Sequence, residues 1–365
     1  MKIAVLGTRG IPANYGGFET FAEELSVRLA ARGHYVTVYC RTNNAASREP
    51  VYRGVHRTLL PTLAHKYLDT IAHTFLSTLH LLAHRHDAVL YCNGANAIFT
   101  PWPRLFGMPA ALNVDGLERQ RQKWNALARG WYLLSERMAT WFPNAVISDA
   151  QVIAAYYRER YGKQTRTIAY GAPAGKVETR AALERFGLSP GGYFLYVSRM
   201  EPENNALLVA RAFERAKVPQ KLVMVGDAPY AEDYIRQVRA TSDPRIVFTG
   251  GVYGAGYAEL QSHCLAYIHA TEVGGTHPAL IEALGRGCPA LYLDTPENAE
   301  VASEVGIRFS KDEKTLAEAI EMVVECPAEV LRRIGGASMA WVRENYDWEA
   351  VTTAYEELFR EITAR

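Results

Sequence analysis

Short runs of apolar, β-branched and aromatic residues alternate along the chain with longer segments whose apolar positions recur at helical spacing. In the first half the runs Ile3–Leu6, Tyr35–Tyr39, Ala88–Tyr91, Ala110–Val114, Ala145–Ile147 and Thr167–Ala169 predict strands. In the second half Tyr193–Val197, Leu222–Val225, Ile246–Phe248, Leu265–Ile268 and Ala290–Leu293 do so, each followed by a helix-length segment. Strands alternating with helices call for parallel sheets with crossover connections, an α/β fold. The pattern changes register at Tyr170-Gly-Ala-Pro-Ala-Gly175, a Gly/Pro stretch able to join two rigid bodies. Residues 1–170 and 171–344 are therefore expected to form two doubly wound domains. Such sheets hold ligands at the carboxyl ends of their strands, so a substrate site in a cleft between the domains follows from topology. Leu68, Ile71, Phe75, Leu79 and Leu82 fall at helical spacing and predict a buried stripe, with nearby histidines at its edge. An amphipathic helix is expected to close the chain over 345–365.

Composition narrows the classes. At 365 residues the chain is long for one core, and about two domains is the natural division. Hydrophobic residues make up 48% and charged residues 22%, which suits a folded protein without long disorder. A net charge of +1 argues against bulk nucleic-acid binding. Five cysteines, at 40, 92, 264, 288 and 326, include no C-x-x-C pair and read as buried free thiols in a reducing compartment. Met1-Lys-Ile-Ala-Val-Leu-Gly7 reads as a strand and a glycine turn rather than a leader or membrane span, so the cytoplasm is the expected location.

Four segments carry candidate chemistry. The run Cys264–Ala270 leads into Gly274-Gly-Thr-His-Pro278, a strand, glycine turn and helix start. Small residues at Gly274, Gly275 and Thr276 admit a phosphate close to the main chain, Pro278 suits a first helical position, and the free N–H groups of the helix start suit a diphosphate. His277 is expected to contribute its main-chain N–H more than its ring. Four positions further on, Glu282 is placed to accept the hydroxyls of a ribose, which points to a sugar nucleotide. The loop Gly7-Thr-Arg-Gly-Ile-Pro-Ala-Asn-Tyr-Gly-Gly-Phe-Glu-Thr20 is not G-x-G-x-x-G. Its glycines either shape a βα connection or let Gly16 and Gly17 approach a ligand, and Glu19 is either a site acid or an early-helix acid. Asp115, before Gly116 at the end of a strand, fits a general base or a positioner of an acceptor hydroxyl, and equally a turn-forming Asp-Gly pair. Arg119, Arg121, Lys123, Trp124, Arg129 and Trp131 form either a basic and aromatic patch for anionic headgroups or a solvated helix face with Trp131, Tyr132 and Leu134 inside. His80 and His84 are four apart on a helix but lack a third ligand, so no metal site is expected.

Together Gly7-Thr-Arg-Gly-Ile-Pro, Tyr15-Gly-Gly-Phe-Glu-Thr20, Val114-Asp-Gly-Leu-Glu118 and Gly274-Gly-Thr-His-Pro278 resemble the retaining GT-B glycosyltransferases of the family 4 type, and within them bacterial polysaccharide rhamnosyltransferases. The resemblance spans nearly the whole chain. It implies two facing Rossmann-like domains, the C-terminal one holding the nucleotide-sugar, no metal and no further cofactor. It implies too that the helix 345–365 packs back on the first domain, the alternative being a cap on the second. Arg199, in Tyr196-Val-Ser-Arg-Met-Glu-Pro202, matches the arginine that contacts the donor diphosphate. Asn204 and Asn205 stand where the wider family has a lysine, and Gly274 stands where it has a first glutamate, leaving Glu282 and the out-of-register Glu272. Gly226 and Val252 occupy loops expected near base and ribose. The expected catalytic groups are thus Asp115, Arg199 and Glu282, and the expected donor is dTDP-rhamnose. The expected acceptor is a saccharide on polyprenyl diphosphate, met at the inner membrane face. A UDP- or GDP-sugar enzyme of the same fold and a non-catalytic nucleotide-sugar scaffold are the alternatives.

Overall fold

The computed structural model describes residues 1–14, 16–45, 47–63, 65, 68–121, 124–227 and 231–364. The chain divides into two compact units, residues 1–171 with 348–365 and residues 172–347.

The first unit is built on strands β1 (Lys2–Leu6), β2 (Tyr35–Arg41), β3 (Val51–Tyr52), β4 (Val55–Leu60), β5 (Ala88–Cys92), β6 (Ala110–Asn113), β7 (Ala145–Ser148) and β8 (Arg166–Thr167). They lie in the order β3-β4-β2-β1-β5-β6-β7-β8, parallel except for the short β3–β4 pair. Ile3 to Leu6 and all of β5 are buried, as continuous apolar strands covered on both faces require. The helix Gly17–Ala31 packs against the last helix, Trp348–Thr363, so the C-terminal segment completes the first unit. The pair β3 and β4 is absent from the strands expected above, because His56, Arg57 and Thr58 break the apolar run. Buried Arg57 nevertheless donates its two terminal nitrogens to the carbonyls of Glu49 and Ser47 at 2.9 and 2.8 Å, which lowers the cost of holding it beside the sheet edge.

The helix Asp69–Ala83 corrects a second expectation. Its buried positions are His73, Thr74, Ser77, Thr78 and Leu81, whereas Leu68, Phe75 and Leu79 of the expected apolar stripe are exposed. Of the buried residues, Thr78 bonds the Tyr91 hydroxyl at 3.0 Å and the Thr74 carbonyl at 2.7 Å, and Asp69 at the helix start pairs with Arg41 of β2 at 2.5 Å. His73, with no exposed surface, has its pKa lowered to about 4, first by burial and then by the Arg41 charge.

The second unit carries β9 (Tyr193–Val197), β10 (Lys221–Val225), β11 (Ile246–Gly250), β12 (Ala266–His269), β13 (Ala290–Leu293) and β14 (Ile307–Phe309). The order β11-β10-β9-β12-β13-β14, parallel throughout, is the doubly wound Rossmann arrangement. Strand β14, only three residues long, is the other one missing from the expected set. Helix Ala206–Arg215 buries Val209, Ala210 and Phe213 against the helix Glu313–Glu325 and the sheet. Truncating fully buried Phe213 would remove about 3–5 kcal/mol. Asp312 caps the helix Glu313–Glu325 by accepting from the amides of Lys314 and Thr315, each at 3.0 Å. The thiols of Cys264 and Cys288, far apart in sequence, meet at 3.1 Å ahead of β12 and β13. Among the described residues no helix is long and apolar enough to cross a membrane.

Candidate functional site

Each unit gathers its chemistry at the carboxyl ends of its parallel strands, where crossover loops leave room for ligands. In the first unit, β6 ends at Asn113 and the chain turns sharply, with Asp115 in the left-handed region at φ 55°. Asx residues tolerate that conformation better than most because their short side chains bond locally. Here the neighbouring Asn113 Oδ1 accepts from the Asp115 amide at 3.0 Å, while Asn113 Nδ2 donates to the Tyr355 hydroxyl at 2.9 Å. The C-terminal helix thereby braces this turn. Buried Tyr170 donates from its hydroxyl to Asp115 Oδ1 at 3.2 Å, and buried Asp149 stands just past β7, the strand that pairs with β6. Burial raises the Asp115 pKa, and nearby Glu118 raises it further. Arg121 and the hydrogen bonds from Asp149 and Tyr170 oppose that rise. Glu118 and Arg121 pair at 2.7 Å beside it.

The loop after β1 packs over the same strand ends. Glu19, in the first turn of its helix, is buried and accepts from the Arg9 amide at 2.9 Å, so it holds the loop rather than facing solvent. Among the described residues a Cβ on Gly16 would meet Glu19 Oε2 alone, at an ordinary 3.5 Å, and its backbone is extended. Packing therefore does not demand glycine at 16, and the absence of a side chain there keeps the main chain open to a ligand. Gly17 begins the helix next to it.

In the second unit Arg199 follows β9, with a side chain 32% exposed and 3.8 Å from Glu201. Asn204 is turned inward: it is buried, its Nδ2 donates to the Arg199 carbonyl at 2.6 Å, and its own carbonyl accepts from the Tyr196 hydroxyl at 2.6 Å. It shapes the Arg199 turn instead of presenting an amide to a nucleotide. Asn205, left-handed at φ 58°, donates to the Ala270 carbonyl at 2.8 Å and to Glu272 Oε1 at 2.6 Å, and Lys311 pairs with the same carboxylate.

Past β12, Thr271, Gly275, Thr276 and His277 are buried around the start of the helix Pro278–Gly285, with Pro278 at its first position. His277, expected to contribute its main-chain N–H more than its ring, has its ring engaged as well. Its Nδ1 bonds Asn298 Oδ1 at 2.6 Å and its ring packs 4.8 Å from that of His269, while Asn298 Nδ2 donates to the carbonyls of Thr271 and Leu293 at 2.9 Å. Burial, and then the neighbouring His277, push the His269 pKa well down, so this ring is neutral. A Cβ on Gly274 would lie 2.2 Å from His277 Nε2, so this glycine makes room for the histidine. Gly226 has a comparable packing reason, since its Cβ would fall 1.9 Å from the Ser198 carbonyl oxygen. Val252 is half-buried between β11 and the helix Gly254–His263. Glu282, half-buried, accepts from the Tyr257 hydroxyl at 2.7 Å, and Gln261 Nε2 donates to that hydroxyl at 2.8 Å. Among the described residues no group of three or more His, Cys, Asp or Glu side chains could hold a metal ion.

Two family models cover most of the chain. Residues 15–172 match the model described as Glycosyltransferase Family 4, and residues 191–326 match that described as Glycosyl transferases group 1. The chain is a GT-B glycosyltransferase. Solved structures share the fold at low identity. The sucrose-phosphate synthase of Thermosynechococcus elongatus superposes with a TM-score of 0.81 at 19% identity, over 100% of this chain and 99% of that one. Anabaena HepE in complex with UDP and glucose gives 0.80 at 16%, over 99% and 100%. The catalytic domain of Arabidopsis thaliana starch synthase IV bound to ADP and acarbose gives 0.74 at 14%, over 100% and 99%. A search of curated proteins finds no match.

Within this glycosyltransferase, Arg199, Glu272, Gly274–Pro278 and Glu282 belong to the second unit, whereas Gly16, Gly17 and Asp115 belong to the first. Tyr15 and Lys123 lie outside the described residues. The basic patch at 119–131 is smaller than its composition suggested. Arg119 is tied to Glu136 and the Tyr156 hydroxyl at 3.0 Å, Arg121 is buried against Glu118, and Arg129 remains exposed. Leu134, expected inside, is 52% exposed. Asp149, Tyr170 and Tyr257 are absent from the expected site. Asp149 had a readable signal, an acid directly after an apolar strand, as at Asp115.

Proposed function

We propose that this glycosyltransferase moves L-rhamnose from dTDP-rhamnose onto a saccharide carried on polyprenyl diphosphate, with retained anomeric configuration and without a metal ion, in bacterial surface polysaccharide synthesis. One arrangement carries the donor half of this reading. Arg199 follows β9 and Gly274–Pro278 follow β12, the two adjacent strands at which the order of the second sheet reverses. That switch point is where doubly wound sheets take nucleotides. As the bond from sugar C1 to the diphosphate oxygen breaks, charge grows on the diphosphate. The Arg199 guanidinium and the amides around Thr276 supply compensating charge. Glu282, oriented by Tyr257, accepts the ribose hydroxyls. Asp115 accepts a hydrogen bond from the acceptor hydroxyl and so positions the attacking oxygen. A nucleoside diphosphate donor also fits the UDP and ADP bound in the HepE and starch synthase structures. The choice of rhamnose and dTDP rests on the resemblance of Gly7–Pro12, Val114–Glu118 and Gly274–Pro278 to the rhamnosyltransferase branch.

The membrane-borne acceptor draws support from the outer face of the first unit. Phe75, Leu76 and Leu79 on one helix and Leu127, Leu134 and Trp141 on the helix Ala126–Trp141 are exposed, and Arg129 and Arg137 are exposed among the latter. Apolar side chains flanked by arginines suit the headgroup boundary of an anionic bilayer, consistent with a cytoplasmic enzyme at the inner membrane face. Flotation with phosphatidylglycerol vesicles at low and high salt tests this part, and no flotation at low salt contradicts it.

Thermal stabilisation by dTDP, UDP and GDP, with Mg²⁺ or with EDTA, tests the donor assignment. The reading expects the largest shift with dTDP and the same shift in EDTA. A shift with UDP or GDP alone would replace the donor while keeping the fold and reaction class.

A further inference from the structure

A cavity of the first unit is not used by the chemistry described above. It has a volume of about 440 Å³ and is lined by Arg119, Gln120, Arg129, Gly130 and Leu133. That is a size at which small-molecule sites are found. The cavity lies past Asp115, on the turn that follows β6 and on the helix Ala126–Trp141.

Its charged lining is wholly basic. A guanidinium offers five N–H donors in a rigid fork. Arg119 spends two of them, on Glu136 and on the Tyr156 hydroxyl, both at 3.0 Å, and its guanidinium stands 5.6 Å from the centre of the Tyr156 ring. These contacts fix the fork and leave its other donors for a ligand. Among the described residues no acid pairs with exposed Arg129. Glu136, the one acid in the sequence of the helix Ala126–Trp141, is buried and already accepts from Arg119, Tyr156 and Tyr161. A net positive field therefore remains in the cavity. The glycine in its wall has no packing reason to be there. Gly130 stands inside a helix, where glycine is a poor former, and among the described residues a Cβ on it would meet nothing within 4 Å. A side chain at 130 would take up cavity space instead. Exposed Leu127, Leu133 and Leu134 flank Arg129 and Gly130 along the same helix.

We propose that this cavity binds the diphosphate of a lipid-linked acceptor, with Arg119 and Arg129 donating to its phosphoryl oxygens and the exposed leucines meeting the start of its hydrocarbon chain. Two guanidinium groups and this volume suit a diphosphate better than a single phosphate. That the diphosphate belongs to the acceptor rests on the function proposed above; the anion site rests on the cavity and its donors alone. Arg119 is four residues beyond Asp115, so their Cα atoms are at most about 14 Å apart. The saccharide between the diphosphate and the reacting hydroxyl is accordingly short.

Calorimetric titration with farnesyl diphosphate, a soluble diphosphate on an isoprenoid chain, tests the site without donor or saccharide. The wild type should bind it, and farnesol, which lacks the diphosphate, should not bind measurably. Arg129→Ala should weaken binding by about 10- to 100-fold. Gly130→Leu should weaken it as much by filling the cavity, while its melting temperature stays level or rises because a glycine leaves the helix. Equal binding by the three proteins overturns the proposal. So does loss of binding in Arg199→Ala but not in Arg129→Ala, which would place the ligand in the donor site. Phosphatidylglycerol vesicles separate a lipid headgroup from the acceptor diphosphate. Gly130→Leu should float with them as the wild type does, and flotation lost together with farnesyl diphosphate binding would give the cavity to headgroups instead. In turnover both variants should raise the KM for the lipid-linked acceptor at unchanged stabilisation by dTDP. Diphosphate binding that responds to the variants as expected, without transfer to any saccharide, means that the assigned function fails and the site stands. Transfer with an unchanged acceptor KM in both variants means that the site fails and the function stands.

Discussion

The two units share one strand order at the core of each sheet yet furnish their strand ends differently. In the first, the ends of β2 and β6 and the helix after β1 carry ionisable side chains drawn inward: Arg41 on Asp69, Asp115 on Tyr170, and Glu19 on the Arg9 amide. In the second, carboxylates are tethered by neighbours, Glu272 by Asn205 and Lys311 and Glu282 by Tyr257, and the space at the switch point is bounded by Arg199 and a helix start. The first arrangement suits a neutral ligand whose hydroxyls need acceptors, and the second suits an anion. The same topology is thus specialised by where the charges sit rather than by how the chain is wound.

Substitutions in the two units should therefore fail in different ways. Asp115→Asn, which keeps shape but removes the accepting carboxylate, should lower kcat by about 10²- to 10⁴-fold while thermal shifts with dTDP stay as in the wild type. Arg199→Ala should lower kcat by about 10²- to 10³-fold and also weaken dTDP binding, with circular dichroism unchanged. If both variants weakened dTDP equally, the division between an acceptor unit and a donor unit would collapse. Glu282→Gln should raise the donor KM by about tenfold with a smaller change in kcat, since a ribose contact acts in ground and transition state alike. The gentlest difference concerns stability. His73 is neutral when folded, with a pKa near 4 against an ordinary value of 6.5, so the unfolded chain binds the extra proton between those values. Stability should fall as pH falls through that window, by on the order of 3 kcal/mol from this group, and be unaffected above it. His73→Phe should flatten that slope in denaturant titrations, whatever its effect on absolute stability.

Much of the frame was legible because parallel strands buried on both faces read as unbroken apolar runs; β9 and β13 begin and end where those runs do. What escaped did so for physical reasons. β4 interrupts its apolar run with polar residues, among them buried Arg57, whose terminal nitrogens bond main-chain carbonyls, and β14 is too short to leave a pattern. The helix Asp69–Ala83 defeats periodicity because it buries its hydroxyls and His73 and exposes its leucines, a choice that depends on partners such as Tyr91 and Arg41 from other strands. At the sites, glycines overstated their case: Gly226 and Gly274 are required by Ser198 and His277, contacts no local pattern reveals. Asp115 was visible through its strand-end position, but Tyr170 reaches it from 55 residues away and Tyr355 meets the neighbouring Asn113 from 242 residues away, in pairings that only the fold creates.

The central claim is best tested by incubating the wild-type protein in EDTA with dTDP-rhamnose and a polyprenyl-diphosphate-linked saccharide, and reading product by mass spectrometry and anomeric configuration by NMR. The account predicts dTDP released together with an acceptor heavier by one deoxyhexose, joined with the configuration it had in the donor. Tight dTDP binding without product would contradict it and favour a nucleotide-sugar-binding scaffold.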